Sequence, residues 1–230
     1  MSAVLLIPLC GPMQSWGTRS RFQERDTERE PTKSGLIGLI CAALGRDRSE
    51  SIQDLNQLKM GVRVDCEGRL QCDFQTAQNV AVASGGETQN QISSRHYLAD
   101  AVFLAALEGD AMLLRSVHEA LANPVWPLYL GRKSYVPSMP PYLLNGLQAG
   151  KGMNKALMEY PLLRTSDKVK KIRLVMESSN VTNKSRMDVP ICFNLGRRWF
   201  RERFVTMEII PVESFLGNKG EGNVSFKTHH

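Results

Sequence analysis

The sequence lacks any apolar run near membrane-spanning length, so no membrane partner is expected. Its N-terminal apolar stretch, residues 3–9, is short and without a basic flank, which argues against a secretory leader. The five cysteines (Cys10, Cys41, Cys66, Cys72 and Cys192) form no CxxC pair and no zinc-spaced cluster with histidine. Free thiols in a reducing cytoplasm are therefore expected, and no metal. There is no Gly-rich dinucleotide fingerprint, no Walker loop and no Ser/His/Asp constellation, so no cofactor is expected and a small-molecule enzyme has nothing to recommend it. The Gly-Phe-aromatic pattern of an RNA-recognition module is missing too, as is any internal repeat.

What is present is enough chain for a sizeable core, in one large domain or two small ones: 230 residues, 42% hydrophobic and 23% charged. The net charge of +6 favours a polyanionic partner.

Residues 31–45 read as one short, deeply buried helix, opened by Pro31 and Thr32 and closed by Gly45. Apolar residues lie almost all round it. Gly35 and Gly38 each cost about 1 kcal/mol of helix propensity, which implies a close approach to the backbone there. Its first turn, with Lys33 and Ser34, is either an anion site for an RNA phosphate or the start of a plain core helix.

Before this helix lie a buried strand over residues 3–9 and a loop over 10–17. Gln14 and Ser15 offer hydrogen bonds, and Trp16 is either a stacking face for a nucleotide or a core anchor. Residues 18–30 form a charged loop in which Arg19 and Arg21, with no acid between them, are the better phosphate candidates.

After the helix, residues 51–58 are amphipathic. A hairpin is expected with Val62 and Val64 on one strand, a turn at Glu67-Gly68, and Leu70, Cys72 and Phe74 on the other. Residues 75–94 are rich in Gln, Asn, Ser, Thr and Gly, as in a protruding hairpin or a loose insertion. A strand over 98–107, a helix capped by Asp110 and carrying Leu113, Leu114, Val117 and Leu121, and a fourth strand over 125–130 follow. The order strand–helix–strand–strand–helix–strand predicts an α+β, ferredoxin-like (RRM-like) fold.

That strand leads to Gly131-Arg132-Lys133-Ser134-Tyr135, whose cations and hydroxyl suit backbone phosphate. Pro137, Pro140 and Pro141 mark a boundary between a domain over 1–137 and a β-rich region over 138–230. In the latter, residues 168–177 and 205–210 read as strands, and the residues after Pro211 as a loose tail. Residues 196–204 interleave arginine with aromatics, either as a phosphate-and-stacking surface or by strand alternation alone.

Taken together, Gly-Pro-Met-Gln-Ser-Trp-Gly at 11–17, Pro-Thr-Lys-Ser-Gly-Leu-Ile-Gly-Leu at 31–39, Arg-His-Tyr-Leu-Ala-Asp-Ala at 95–101 and Tyr-Leu-Gly-Arg-Lys-Ser at 129–134 resemble the CasD family, RAMP-type small subunits of the type I-E CRISPR surveillance complex Cascade. In the C-terminal third, Arg186–Pro190 is the best anchor. The resemblance implies an antiviral ribonucleoprotein subunit that binds the 5′ handle of the CRISPR RNA and caps one end of the complex. It implies a thumb at about residues 75–94 that contacts the backbone subunit. It also implies contact with the large subunit that recognises the protospacer-adjacent motif, and so with target DNA only indirectly. The implied RNA contacts are Gln14, Ser15, Trp16, Arg19, Arg21, Lys33, Ser34, Arg95, His96, Arg132, Lys133, Ser134 and Arg186. Type I-C relatives cut precursor RNA, and an acid/base pair for that would come from His96, Tyr97, Lys133 and Tyr135. In type I-E systems another subunit cuts, so a non-catalytic role is expected. A metal-independent endoribonuclease and a stand-alone single-stranded RNA binder are the alternatives.

Overall fold

The computed structural model describes residues 2–18, 23–82, 85–164, 169–194 and 199–216. Arg19 and Arg21, Lys168 and residues 196–198 lie outside them. The chain opens with β1 (Ser2–Cys10), the short β2 (Met13–Gln14) and β3 (Glu24–Arg25), then α1 (Lys33–Leu44), α2 (Gln53–Asn56) and β4 (Lys59–Cys66). The strands β5 (Arg69–Val80), β6 (Gln89–Ala99) and β7 (Val102–Asp110) precede α3 (Ala111–Ala122). After these come β8 (Leu147–Ala149), α4 (Met153–Glu159), β9 (Lys171–Ser178), β10 (Lys184–Cys192), β11 (Trp199–Pro211) and α5 (Glu213–Leu216).

The result is an α+β protein built on a seven-stranded sheet in the order β10-β11-β9-β4-β7-β1-β8, antiparallel at every pairing. Leu5, Ile7, Leu9, Phe103 and Leu107 face α1 and α3 on one side. On the other, Val4, Leu6, Leu104 and Leu174 face Met153, Ala156 and Leu157 of α4. Covering on both faces explains why β1 is an unbroken apolar run rather than an alternating one. Pro8 is tolerated within it because β8 pairs only with Ala3–Leu5, leaving no neighbour that needs the missing N–H.

The helices follow the sequence closely. Thr32 caps α1 by accepting the Gly35 N–H, and Gly45 ends it at φ +72°. Asp110 caps α3 by accepting from Met112 and Leu113, and Leu114, Val117 and Leu121 are buried beneath it. The strands require three corrections. The turn at Gly68 forms (φ +69°), but β4 pairs with β7 and β9 while β5 pairs with β6, so the expected hairpin does not exist. The stretch 98–107 is two strands, broken at Asp100 (φ +59°), where the chain passes from one sheet to the other. Residues 125–130 are not a strand. Preceded by Pro124 and interrupted by Pro127, they close the end of α1, with Val125 N–H donating to Ala43 O (3.0 Å) and Trp126 N–H to Ala42 O (3.1 Å). The edge position beside β1 is taken by β8 instead.

The polar segment 75–94 is the distal part of a long hairpin arm, β5–β6, running from Arg69↔Ala99 to Val80↔Gln89. Its β5 strand is wet on both faces, so no apolar alternation is needed, and the composition therefore reads as loop. The arm is rooted by β6, which pairs with β2 at Gln14↔Leu98 and, in parallel, with β3 at Arg25↔Arg95.

The large sheet runs unbroken past the proline-rich segment, taking β8 on one side and β9–β11 on the other. A fully buried pair ties down that later chain. Arg63 donates to Asp65 and to the carbonyls of Leu157, Tyr160 and Pro161, and Asp65 accepts the Leu163 N–H. Phe215 of α5 packs against the Arg63 guanidinium, 5.3 Å from its ring centroid, so the chain just after Pro211 is anchored rather than loose. Among the described residues no helix is long and apolar enough to cross a membrane.

The two helix glycines differ. A Cβ on Gly35 would lie 2.7 Å from the Trp16 ring, whereas one on Gly38 would meet only Phe193, at 3.9 Å. The inferred close approach is therefore real at Gly35 and absent at Gly38. Gly35→Ala should destabilise the fold by about 1–3 kcal/mol through overpacking. Gly38→Ala should stabilise it by up to about 1 kcal/mol through helix propensity. Urea unfolding of the two variants measures both.

Candidate nucleic-acid interface

The root of the arm, the tryptophan loop and the loop after Leu130 meet at one point. β3 bonds to β6 at Ser94 and Arg95, and β2 bonds to it at Leu98 and Ala99. Between them the edge of β6 is bonded by side chains. Ser15 Oγ donates to His96 O at 3.3 Å, and Arg132 donates to the same oxygen at 3.0 Å. Arg132 also donates to Arg25 O (3.3 Å) and to the Tyr135 hydroxyl (2.7 Å). The turn that delivers Arg132 requires glycine: Gly131 has φ +95°, and a Cβ there would collide with the Ser15 carbonyl.

Two cations meet beside this junction. Arg25 and Arg95, with Gln23, Gln91 and Ser93, line a shallow groove along the arm. Arg95 is half-buried, its Nε donates to Ser93 Oγ at 3.2 Å, and no described carboxylate pairs with it. Lys133 and Ser134 are exposed beside Arg132. Sequence reasoning missed Arg25, because its place beside Arg95 depends on a parallel pairing between residues far apart in the chain.

Other predicted contacts are elsewhere or enclosed. Trp16 is buried, packed over Gly35, and its Nε1 donates to Gln14 Oε1 (3.2 Å); it is the core anchor and offers no stacking face. Gln14 is buried as well, donating to Leu9 O and Ala101 O. Ser15 is buried and engaged with His96 and Asp26 carbonyls. Ser34 is half-buried, 3.4 Å from Thr32 Oγ1.

The start of α1 has its own anions. Lys33 N–H donates to Asp188 at 2.9 Å, and the buried Lys33 ammonium binds both oxygens of Glu177 at 3.2 and 3.0 Å. Asp188 is held in turn by the buried Arg203. Protein carboxylates thus occupy the place proposed for a phosphate, and Lys33 is turned inward. Arg186 is likewise engaged, with Glu28 (3.1 Å) and Glu30. Glu30 also binds Arg173 at 2.6 Å, and Arg173 bonds on to Glu67. Burial disfavours the Arg173 charge, but its hydrogen bonds to Glu67 and Glu30 outweigh that and raise its pKa further. No local motif marks these partners, since each lies far away along the chain.

In the interleaved segment, Trp199 is exposed while Arg203 is buried on Asp188. Of the four acid/base candidates, Tyr135 is buried, burial pushes its phenol pKa up, and its oxygen already accepts from Arg132. Tyr97 packs on it, with ring centroids 5.9 Å apart. His96 is half-buried and Lys133 exposed.

Comparison with known proteins bears on this arrangement. The family described as CRISPR-associated protein (Cas_Cas5) matches residues 4–206. The curated CRISPR system Cascade subunit CasD of Escherichia coli (strain K12) is 34% identical over 176 residues, 70% of this chain and 78% of that protein. A solved structure described as the crystal structure of a Cas protein superposes with a TM-score of 0.75 at 45% identity, covering 92% of this chain and 96% of that one. A chain from a CRISPR RNA-guided surveillance complex superposes at 0.74 with 33% identity, covering 90% of this chain and 89% of its own.

Removing one partner of the buried pair tests its structural role. Glu177→Gln should cost about 3 kcal/mol, because the Lys33 charge stays buried without a counter-charge. Burial already lowers the Lys33 pKa below its ordinary 10.5, and losing Glu177 lowers it more. A depressed lysine penalises the fold fully below the folded-state pKa, and the penalty is relieved as pH rises from there toward 10.5. The deficit of the variant relative to the parent, measured by urea unfolding, should therefore shrink in alkali.

Proposed function

The chain belongs to the CRISPR-associated Cas5 family, and from that premise we propose that it is the Cascade subunit that holds the 5′ handle of the CRISPR RNA without cutting it. The observation that carries this reading is the convergence of Arg25, Arg95 and Arg132 where the arm joins the core, with the exposed Lys133 following Arg132 in the chain. An RNA backbone laid along that junction would meet cations on a rigid seat, which fixes its path without reading its bases. The net charge of +6 supports the same partner class.

On this reading the units β1-α1-β4 and β7-α3-β8, with strands ordered β4-β7-β1-β8, form a ferredoxin-like core. The β5–β6 arm is the thumb that reaches the backbone subunit. The chain after β8 extends the core sheet through β9–β11 as a β-rich region. The large subunit sits nearby, and target DNA is met only through the complex. The handle contacts are Arg95, His96, Arg132, Lys133 and Ser134, with Arg25 added. The enclosed Gln14, Ser15 and Trp16 act by shaping the seat, while Lys33 and Arg186 hold β9 and β10 to the core.

Among the acid/base candidates Tyr135 is a poor base, because burial keeps its phenol protonated and its oxygen already accepts from Arg132. Arg95→Ala should weaken binding of handle RNA and make log K against log salt shallower by roughly 0.7, the share of one phosphate contact on a single strand. An unchanged slope removes Arg95 from the interface. Incubation of the pure chain with precursor repeat RNA should leave it intact; cleavage that disappears in His96→Ala would replace this reading by that of a metal-independent endoribonuclease.

A further inference from the structure

The outer side of α1 carries a cleft that none of the contacts above uses. Its volume is about 340 Å³, at the small end of the range of about 300–1,000 Å³ for ligand pockets. Gly35 and Gly38 supply its floor, and the openness at Gly38, where a Cβ would meet nothing nearer than Phe193 at 3.9 Å, is part of its shape. Its walls are aromatic: Trp126, Tyr129 and Phe193.

Trp126 is 44% exposed although its N–H is bonded to the Ala42 carbonyl of α1, that of Val125 before it to the Ala43 carbonyl, and a proline follows. A large ring left partly in water beside a cleft, on a backbone that is fixed, offers a face on which a base can stack. The charges at the cleft largely cancel. Arg46 is bound through both terminal nitrogens to Asp54, at 2.7 and 2.6 Å, and Asp47 stands beside Arg48. A flat neutral group suits such walls better than a phosphate does. The cleft also borders the proposed RNA seat, since Gly131 lines it and Arg132 is the next residue.

We propose that this cleft takes one unstacked base of the bound single-stranded RNA, stacked on Trp126. The proposal rests on the handle-binding reading above. A strand whose backbone passes over Arg132 and Lys133 has the Gly131 turn as its way in, and a base swung across that turn enters between Trp126 and Tyr129. A stack on an aromatic side chain tolerates any base, so the cleft fixes the strand's register without demanding a sequence.

The test uses the full chain, the cognate handle RNA, and a set of handle RNAs each carrying one abasic nucleotide, with affinity measured by fluorescence anisotropy. Trp126→Ala should weaken binding of intact RNA about fivefold or more, and Trp126→Phe should retain most of the affinity. At one position the abasic RNA should bind parent and Trp126→Ala equally, because the stacked base is already gone. If intact RNA binds but Trp126→Ala has no effect, or the same effect on every abasic RNA, the cleft holds no base and the handle-binding reading stands without it. If intact handle RNA does not bind the parent chain, the handle-binding reading falls and this proposal with it.

Discussion

The closure of the first turn of α1 by the protein's own groups is the constraint on which much of the structure depends. A helix start presents free N–H groups that need acceptors, and here Asp188, reaching in from β10, accepts the Lys33 N–H. The Trp16 ring packs against Gly35, where any side chain would collide with it. The Lys33 ammonium is turned inward onto Glu177 of β9. One short segment thereby binds the tryptophan loop and the late strands β9 and β10 to the same core. A buried lysine is tolerable only because Glu177 meets it, so the arrangement fixes the register of distant strands as well as holding them.

The same economy appears at the root of the arm. A two-stranded ribbon is marginal by itself in water, and this one gains little from side-chain burial along β5. It is held instead along the edge of β6 by β3, by β2, and between them by Ser15 and Arg132 on the His96 carbonyl. Arg132 thus has a structural role in the proposed interface. Its guanidinium anchors the arm, bonding the carbonyls of Arg25 and His96, and Lys133 after it is at the surface. A rigid seat loses less entropy on binding than a mobile one, which favours a subunit whose task is to hold an RNA end in one place.

Much of the fold was legible along the chain. The caps of α1 and α3 stood out because capping is local: Thr32 and Asp110 bond to residues two or three positions on. The buried strand β1 stood out because covering on both faces leaves an unbroken apolar run. Pairing was harder to read. Val62 and Val64 followed by Gly68 and Leu70 look like a hairpin, yet burial on both faces of β4 marks it as an inner strand whose partners lie elsewhere. Residues 125–130 carry strand-like residues but serve as a strap across the end of α1. At the proposed interface, Arg132 was identifiable by residue type and neighbours and Arg95 through the family resemblance, whereas Arg25 was not.

The sequence by itself determined helices α1 and α3 with their caps, the central apolar strand, the polar character of the arm and the basic balance of the whole chain. Each of these follows from residues within a few positions of one another, or from composition. Only the tertiary structure decided which charges are available. Lys33, Arg186 and Arg203 resemble Arg95 and Lys133 as letters, but the first three meet carboxylates brought from 15 to about 160 residues away. Whether a cation faces water or a buried partner depends on what folds against it, and a linear string does not contain that distance.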